Sequence, residues 1–98
     1  MLVSRNIKVN GRRTSMRLER STWEALEEIA KREGCTLNKI CEQIDSVKKI
    51  NGLSTSTRIF VLAYYRNLAV TSRKAKLIPS VLGSFRKYEE QEEMLIGS

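Results

Sequence analysis

The chain has 98 residues, and its 18 lysines and arginines outnumber 11 acidic side chains to give a formal net charge of +7. This length fits one small domain with tails, and no apolar run approaches the roughly 18 residues of a membrane-spanning helix. The excess of basic residues favours a polyanionic partner, but charge alone does not show whether that partner is nucleic acid. With two cysteines and no visible secretory signal, we expect a reduced, cytoplasmic protein with no membrane partner.

The N-terminal third divides into an arm and a strand. Residues 1–11 show no clear periodicity and end in Asn10-Gly11, a turn signal, so they are predicted to form a flexible basic arm. Residues 12–18 alternate, as a half-buried strand does. One face carries Arg13, Ser15 and Arg17, and the other carries Thr14, Met16 and Leu18. Because no partner strand is predicted nearby, we expect this strand to pair antiparallel with its copy in a second chain.

Capping residues then mark the predicted helices. Ser21, with Glu24 three residues later, forms a capping box at the start of the first helix, and Gly34 is a left-handed C-cap that ends it. Thr36 caps the second helix, and Ser54 caps a third over residues 55–69. Apolar residues at helical spacing predict a core. Its members are Thr14, Met16, Leu18, Trp23, Leu26, Ile29, Leu37, Ile40, Cys41 and Ile44, shared between two chains.

The resulting organisation is a basic arm over residues 1–11, a folded domain over 12–69 and a tail over 70–98. The tail is either helical from residue 80 or disordered. Apolar side chains are scattered among its charges, a pattern typical of tails that fold on a protein partner. They are Ile78, Val81, Leu82, Phe85, Leu95 and Ile96.

This order of a basic strand, a capped helix, a Gly-x-Thr turn and a second helix resembles the ribbon-helix-helix DNA-binding proteins. The likeness covers residues 12–49, and it extends through Arg58-Ile59-Phe60 to resemble a bacterial subfamily with a third helix over residues 12–66. It implies a mostly α fold with one N-terminal strand, in which two chains form an intermolecular antiparallel ribbon. The sequence departs from the family pattern at Thr14, where an aliphatic residue is usual.

The resemblance also implies how DNA is bound. The ribbon of such proteins enters the major groove, where the positions matching Arg13, Ser15 and Arg17 contact base edges. Arginine pairs bidentately with guanine, and serine bonds to either kind of base edge. The start of the second helix holds a phosphate, which assigns that role to Thr36, Leu37 and Asn38.

Several basic side chains fit additional phosphate contacts. Lys39 is unfavourable in the first turn of a helix unless an anion lies nearby. In the arm, Arg5, Lys8 and Arg12 are expected to add salt-sensitive contacts to the DNA backbone.

Enzymatic function has little support in the sequence. The chain contains no histidine, and its five glycines are isolated rather than gathered in a phosphate-binding loop. We expect no catalytic residues, no metal site and no cofactor. The predicted function is sequence-specific binding of double-stranded DNA by a homodimeric repressor at the bacterial nucleoid. The alternatives are an antitoxin-like module whose residues 70–98 bind a protein, and a dimeric scaffold that does not bind DNA.

Overall fold

Two strands and three long helices follow one another in the part of the chain that the structure describes. The computed structural model describes residues 1–47, 51–70, 77–79 and 81–83. Strand β1 spans Leu2–Val9 and strand β2 spans Arg12–Glu19; helices α1, α2 and α3 span Arg20–Glu33, Leu37–Val47 and Leu53–Val70. The predicted architecture, mostly helical with an N-terminal antiparallel ribbon, is confirmed.

The second strand of that ribbon comes from the same chain. Strands β1 and β2 form a two-stranded antiparallel hairpin in which Val9 pairs with Arg12 and Leu2 with Glu19. Asn10 and Gly11 have φ values of 54° and 77°, as a type I′ turn requires. The predictions of a flexible arm over residues 1–11 and of a single strand without a partner in its own chain are therefore wrong, whereas the pairing of ribbons between two chains stays a prediction. The physical reason is the Asn-Gly turn, which returns the chain alongside itself.

Strand β1 fills the side of the core that a second chain was expected to supply. Ile7 and Val9 are buried beneath the hairpin together with Met16 and Leu18 of β2. The half-buried Thr14 lies opposite Ile7 in the register, so an aliphatic side chain accompanies the polar residue at that position. The inward face of the ribbon is thus covered by the chain's own helices.

The start of α1 differs from the prediction and its end does not. The N-cap is Glu19, which makes no capping hydrogen bond through its side chain, because β2 runs into the helix without the expected turn at Ser21. Gly34 adopts the predicted left-handed conformation with φ 71°, and its backbone N–H donates to the carbonyl groups of Ala30 and Lys31.

Caps also separate α2 from α3. The backbone N–H of Lys39 donates to Thr36 Oγ1 at 3.1 Å, which confirms Thr36 as the cap of α2. Helix α3 begins at Leu53, two residues before the predicted start. Its first turn is closed by the N–H of Ser56, which donates to the carbonyl of Gly52 at 2.9 Å, so the prediction of Ser54 as the cap is wrong.

The expected core residues pack within one chain. Trp23 is buried on α1, and its indole N–H donates to the carbonyl of Val3 at 2.9 Å, which fastens α1 to the ribbon. Thr14 and Leu37 are half-buried. The remaining predicted members are buried: Met16, Leu18, Trp23, Leu26, Ile29, Ile40, Cys41 and Ile44. Phe60, Ala63 and Tyr64 add α3 to the same cluster.

Part of the C-terminal tail joins this core through a buried carboxylate. Glu33 is 4% exposed, and it accepts hydrogen bonds from the Tyr64 hydroxyl at 2.7 Å and from the N–H groups of Leu77 and Ile78 at 3.1 and 3.4 Å. Val81 is fully buried. Ile78 and Val81 are therefore not exposed anchors for a protein partner, whereas Phe85, Leu95 and Ile96 lie outside the described residues.

Candidate nucleic-acid interface

The outward face of the hairpin is built from three cross-strand pairs of polar side chains. Antiparallel register places each pair on one face of the ribbon. The pairs are Ser4 with Arg17, Asn6 with Ser15, and Lys8 with Arg13. All six side chains are exposed. We call these six residues the ribbon face. The predicted base-contacting residues Arg13, Ser15 and Arg17 lie together on this face and form the row that β2 contributes.

The cations of the ribbon face have no acidic partners among the described residues. No hydrogen bond or ion pair joins the side chains of Lys8, Arg13 or Arg17 to another part of the chain that the structure describes. Two other arginines are paired: Arg5 with Glu27 at 2.9 Å and Arg58 with Glu19 at 3.0 Å. Positive charge is thus left uncompensated on the ribbon face, and such a surface attracts polyanions.

A serine pair orders the middle of this face. The hydroxyl oxygens of Ser4 and Ser15 are 2.9 Å apart, within hydrogen-bond distance across the two strands. Ser15 is therefore oriented by a residue of β1, while its second hydrogen-bonding direction remains open to a ligand.

The N-terminus of α2 lies against one edge of the ribbon. Asn38 Oδ1 accepts a hydrogen bond from the backbone N–H of Lys8 at 3.0 Å, which fixes the distance between strand and helix. A cleft of about 290 Å³ lies between them and is lined by Asn6, Ile7, Lys8, Arg13 and Asn38. The predicted phosphate-binding positions Lys8 and Asn38 are thus brought together beside Arg13.

The other expected phosphate contacts are more dispersed. Thr36 and Lys39 are exposed at the start of α2, whereas Leu37 is half-buried and packs against the core. Arg12 lies at the turn and lines a second cleft of about 380 Å³. By register it alternates with the ribbon face and does not belong to it.

Arg5 is held away from the ribbon face. Its register places it opposite Met16 on the inward side, and its guanidinium lies 4.8 Å from the centre of the Trp23 ring while pairing with Glu27. A cation stacked on an aromatic ring and bound to a carboxylate is satisfied within the chain. The structure therefore does not bring Arg5 together with Arg13, Ser15 and Arg17.

The carboxylate of Glu19 lies at the end of the hairpin away from the Asn10-Gly11 turn. Glu19 accepts hydrogen bonds from Arg58 Nε at 3.0 and 3.3 Å and from Thr22 Oγ1 at 3.1 Å. The hydrogen bonds from Arg58, followed by one from the backbone, lower the pKa of Glu19 from 4.5 to about 2. Glu19 is thus ionised at neutral pH, with Arg58 supplying the opposite charge.

Ser4 and Asn6 were missed by the sequence prediction. Their signal was present, because Ile7 and Val9 alternate with Asn6 and Lys8 directly before Asn10-Gly11. An Asn-Gly pair flanked by alternating apolar residues is the strongest short-range sign of a hairpin. Treating that pair only as the end of an arm left two of the six residues of the ribbon face unrecognised.

Other kinds of site find no counterpart in the described part of the chain. No three metal-ligating side chains gather there, and none of its helices is long and apolar enough to cross a membrane. Neither Cys35 nor Cys41 forms a disulfide, and burial raises the pKa of the Cys41 thiol to about 11, which disfavours the reactive thiolate.

Comparison with known proteins identifies the fold. Residues 2–65 match the family described as the ribbon-helix-helix domain, a range that contains both strands and most of the helices. The fold is similar to that of an uncharacterized protein from Bordetella pertussis Tohama I, with a TM-score of 0.66 and 24% sequence identity over 87% of this chain and 74% of the other. No curated protein matches the chain.

Proposed function

The chain belongs to the ribbon-helix-helix family, and we propose that it binds double-stranded DNA sequence-specifically by inserting its hairpin into the major groove. The observation that carries this proposal is the ribbon face, on which Lys8, Arg13 and Arg17 stand without acidic partners. A two-stranded β-ribbon is one of the two elements that the major groove admits.

Base contacts and phosphate contacts have separate roles in this proposal. Arg13 and Arg17 present bidentate donors suited to guanine O6 and N7, and Ser15 presents a hydroxyl between them. Asn38 and the exposed Thr36 and Lys39 place the N-terminus of α2 against the phosphate backbone. Phosphate contacts supply affinity, and base contacts supply sequence preference.

The biological role that fits such binding is transcriptional repression. A homodimer would place two ribbons on an inverted repeat, since the twofold symmetry of a protein is mirrored in its site. The hairpin satisfies β2 within one chain, so the proposed homodimer rests on the family pattern and not on an unpaired strand.

The test is selection of bound sequences from a random pool of double-stranded DNA, followed by affinity measurements on the selected site. Arg13→Ala and Arg17→Ala are each expected to weaken binding to that site by roughly 1–3 kcal/mol and to relax preference at one base pair. Selection of an inverted repeat would support the homodimer.

Arg66→Ala is the matched control, because Arg66 is an exposed arginine on α3 outside the ribbon face. It should leave the selected sequence unchanged and the affinity nearly so. If no motif is selected, or if both ribbon-face variants bind as the wild type does, the proposal is wrong.

A further inference from the structure

Strand β1 presents a second row of side chains beside the row of β2. Asn6 is the middle residue of this row and lies directly opposite Ser15. Opposite side chains on one face of an antiparallel pair have Cβ atoms roughly 4.5–5.5 Å apart, whereas the major groove is about 12 Å wide. A groove that accepts Arg13 and Arg17 therefore also accepts Asn6.

The chemistry of Asn6 differs from that of its neighbours. Ser4 and Ser15 are within hydrogen-bond distance of each other, and Lys8 offers only a charged donor. Asn6 is exposed, and its carboxamide makes no hydrogen bond to any described residue. It presents one acceptor and one donor side by side, the arrangement that matches N6 and N7 of adenine.

The backbone beneath Asn6 is fixed on both sides. Antiparallel pairing holds it against β2, and the neighbouring Lys8 N–H is held by Asn38 of α2 at 3.0 Å. A side chain on such a support has little backbone freedom to lose on binding, which favours specific readout.

We propose that Asn6 is a specificity-determining residue that reads an adenine through the major groove, as part of a ribbon whose two strands both contact bases. This inference rests on the proposed DNA binding. Arg13 and Arg17 are four strand positions apart, which is about 14 Å at 3.4 Å per residue. The adenine read by Asn6 therefore lies within the roughly four base pairs between the bases contacted by those arginines.

The test begins with the site selected by the wild-type protein and repeats the selection with Asn6→Ala and Asn6→Asp. Both variants should lose preference for adenine at one position and keep the remaining motif. On the original site we expect affinity to fall roughly 5- to 150-fold. Thermal unfolding should be close to that of the wild type, because the side chain is exposed.

DNA with a modified base tests for the proposed contact with N7 of adenine. Replacing the proposed adenine by 7-deazaadenine removes the N7 acceptor and should weaken the wild type while changing Asn6→Ala little. Arg66→Ala, outside the ribbon face, should respond to the modified base as the wild type does.

The outcomes distinguish a failure of this inference from a failure of the proposed DNA binding. If Arg13→Ala and Arg17→Ala impair binding but Asn6→Ala does not, β1 takes no part in readout and the inference is overturned. Uniform weakening of all sequences by Asn6→Ala would assign Asn6 to the phosphate backbone and would also overturn it. If none of the three variants changes binding, the proposed function fails as well.

Discussion

At the scale of single residues, Glu33 is a buried ionisable side chain whose loss of hydrogen-bond partners would be costly. It is an ionisable side chain at 4% exposure, and three donors reach it: the Tyr64 hydroxyl and the N–H groups of Leu77 and Ile78. Burial, followed by the hydrogen bond to Glu33, raises the pKa of Tyr64 well above its usual value, so the phenol stays protonated as a donor.

Removing that donor should be measurably destabilising. We expect Tyr64→Phe to lower the free energy of unfolding by about 1–3 kcal/mol, because one oxygen of a buried carboxylate loses a hydrogen bond. Urea denaturation followed by circular dichroism measures the change.

Tyr65→Phe is the matched control for Tyr64→Phe. The Tyr65 hydroxyl donates to Glu28 Oε1 at 2.6 Å, but this contact is exposed and should contribute less to stability. Equal losses in the two variants would show that the burial of Glu33 does not determine the effect.

At the scale of elements, the hairpin has one face packed on the core and one face exposed. Ile7 is 5% exposed and packs in the core, whereas the adjacent Asn6 is exposed on the ribbon face. Strand β1 thus contributes side chains both to the core and to the ribbon face, which an unstructured arm would not do.

This division predicts opposite effects from neighbouring substitutions. Ile7→Ala should lower the free energy of unfolding by roughly 2–5 kcal/mol, because it opens a cavity beneath the ribbon. Asn6→Ala should leave the free energy of unfolding within about 0.5 kcal/mol of the wild type. Denaturant titrations of both variants make the comparison. Wild-type stability in Ile7→Ala would mean that β1 does not contribute to the core.

At the scale of the whole molecule, the formal net charge of +7 does not distinguish cations that pair with acidic side chains from cations that do not. Lys8 belongs to the ribbon face without an acidic partner among the described residues, while Arg5 pairs with Glu27. Under the proposed DNA binding, we therefore expect Lys8 to replace counterions on DNA more readily than Arg5.

Salt dependence distinguishes these two cations. Each phosphate neutralised contributes about −0.9 to the slope of log K against log salt concentration. We expect Lys8→Gln to make that slope shallower by about 0.9 and Arg5→Gln to leave it nearly unchanged. Binding titrations over a series of NaCl concentrations provide the slopes. A clear change of this slope in Arg5→Gln would mean that the ion pair between Arg5 and Glu27 opens on binding.

The sequence by itself determined the local features of this protein. Alternation in residues 12–18 predicted which side chains face outward, and Gly34 and Thr36 marked helix boundaries, because each depends on neighbours within a few positions. The same local chemistry placed Arg13, Ser15 and Arg17 on one face.

Only the tertiary structure decided which surfaces meet. It buried Ile78 and Val81 against the core and gave Arg5 a carboxylate partner, whereas the pairing of β2 with β1 was already signalled locally by Asn10-Gly11. Arg5 and Glu27 are distant along the chain, and Glu33 meets Leu77 across a still longer separation. Charge and periodicity do not encode such contacts, since they arise when elements pack. The outward position of the ribbon arginines was therefore predictable from the sequence, whereas the position of Asn6 beside Ser15 became evident only from the register of β1 against β2.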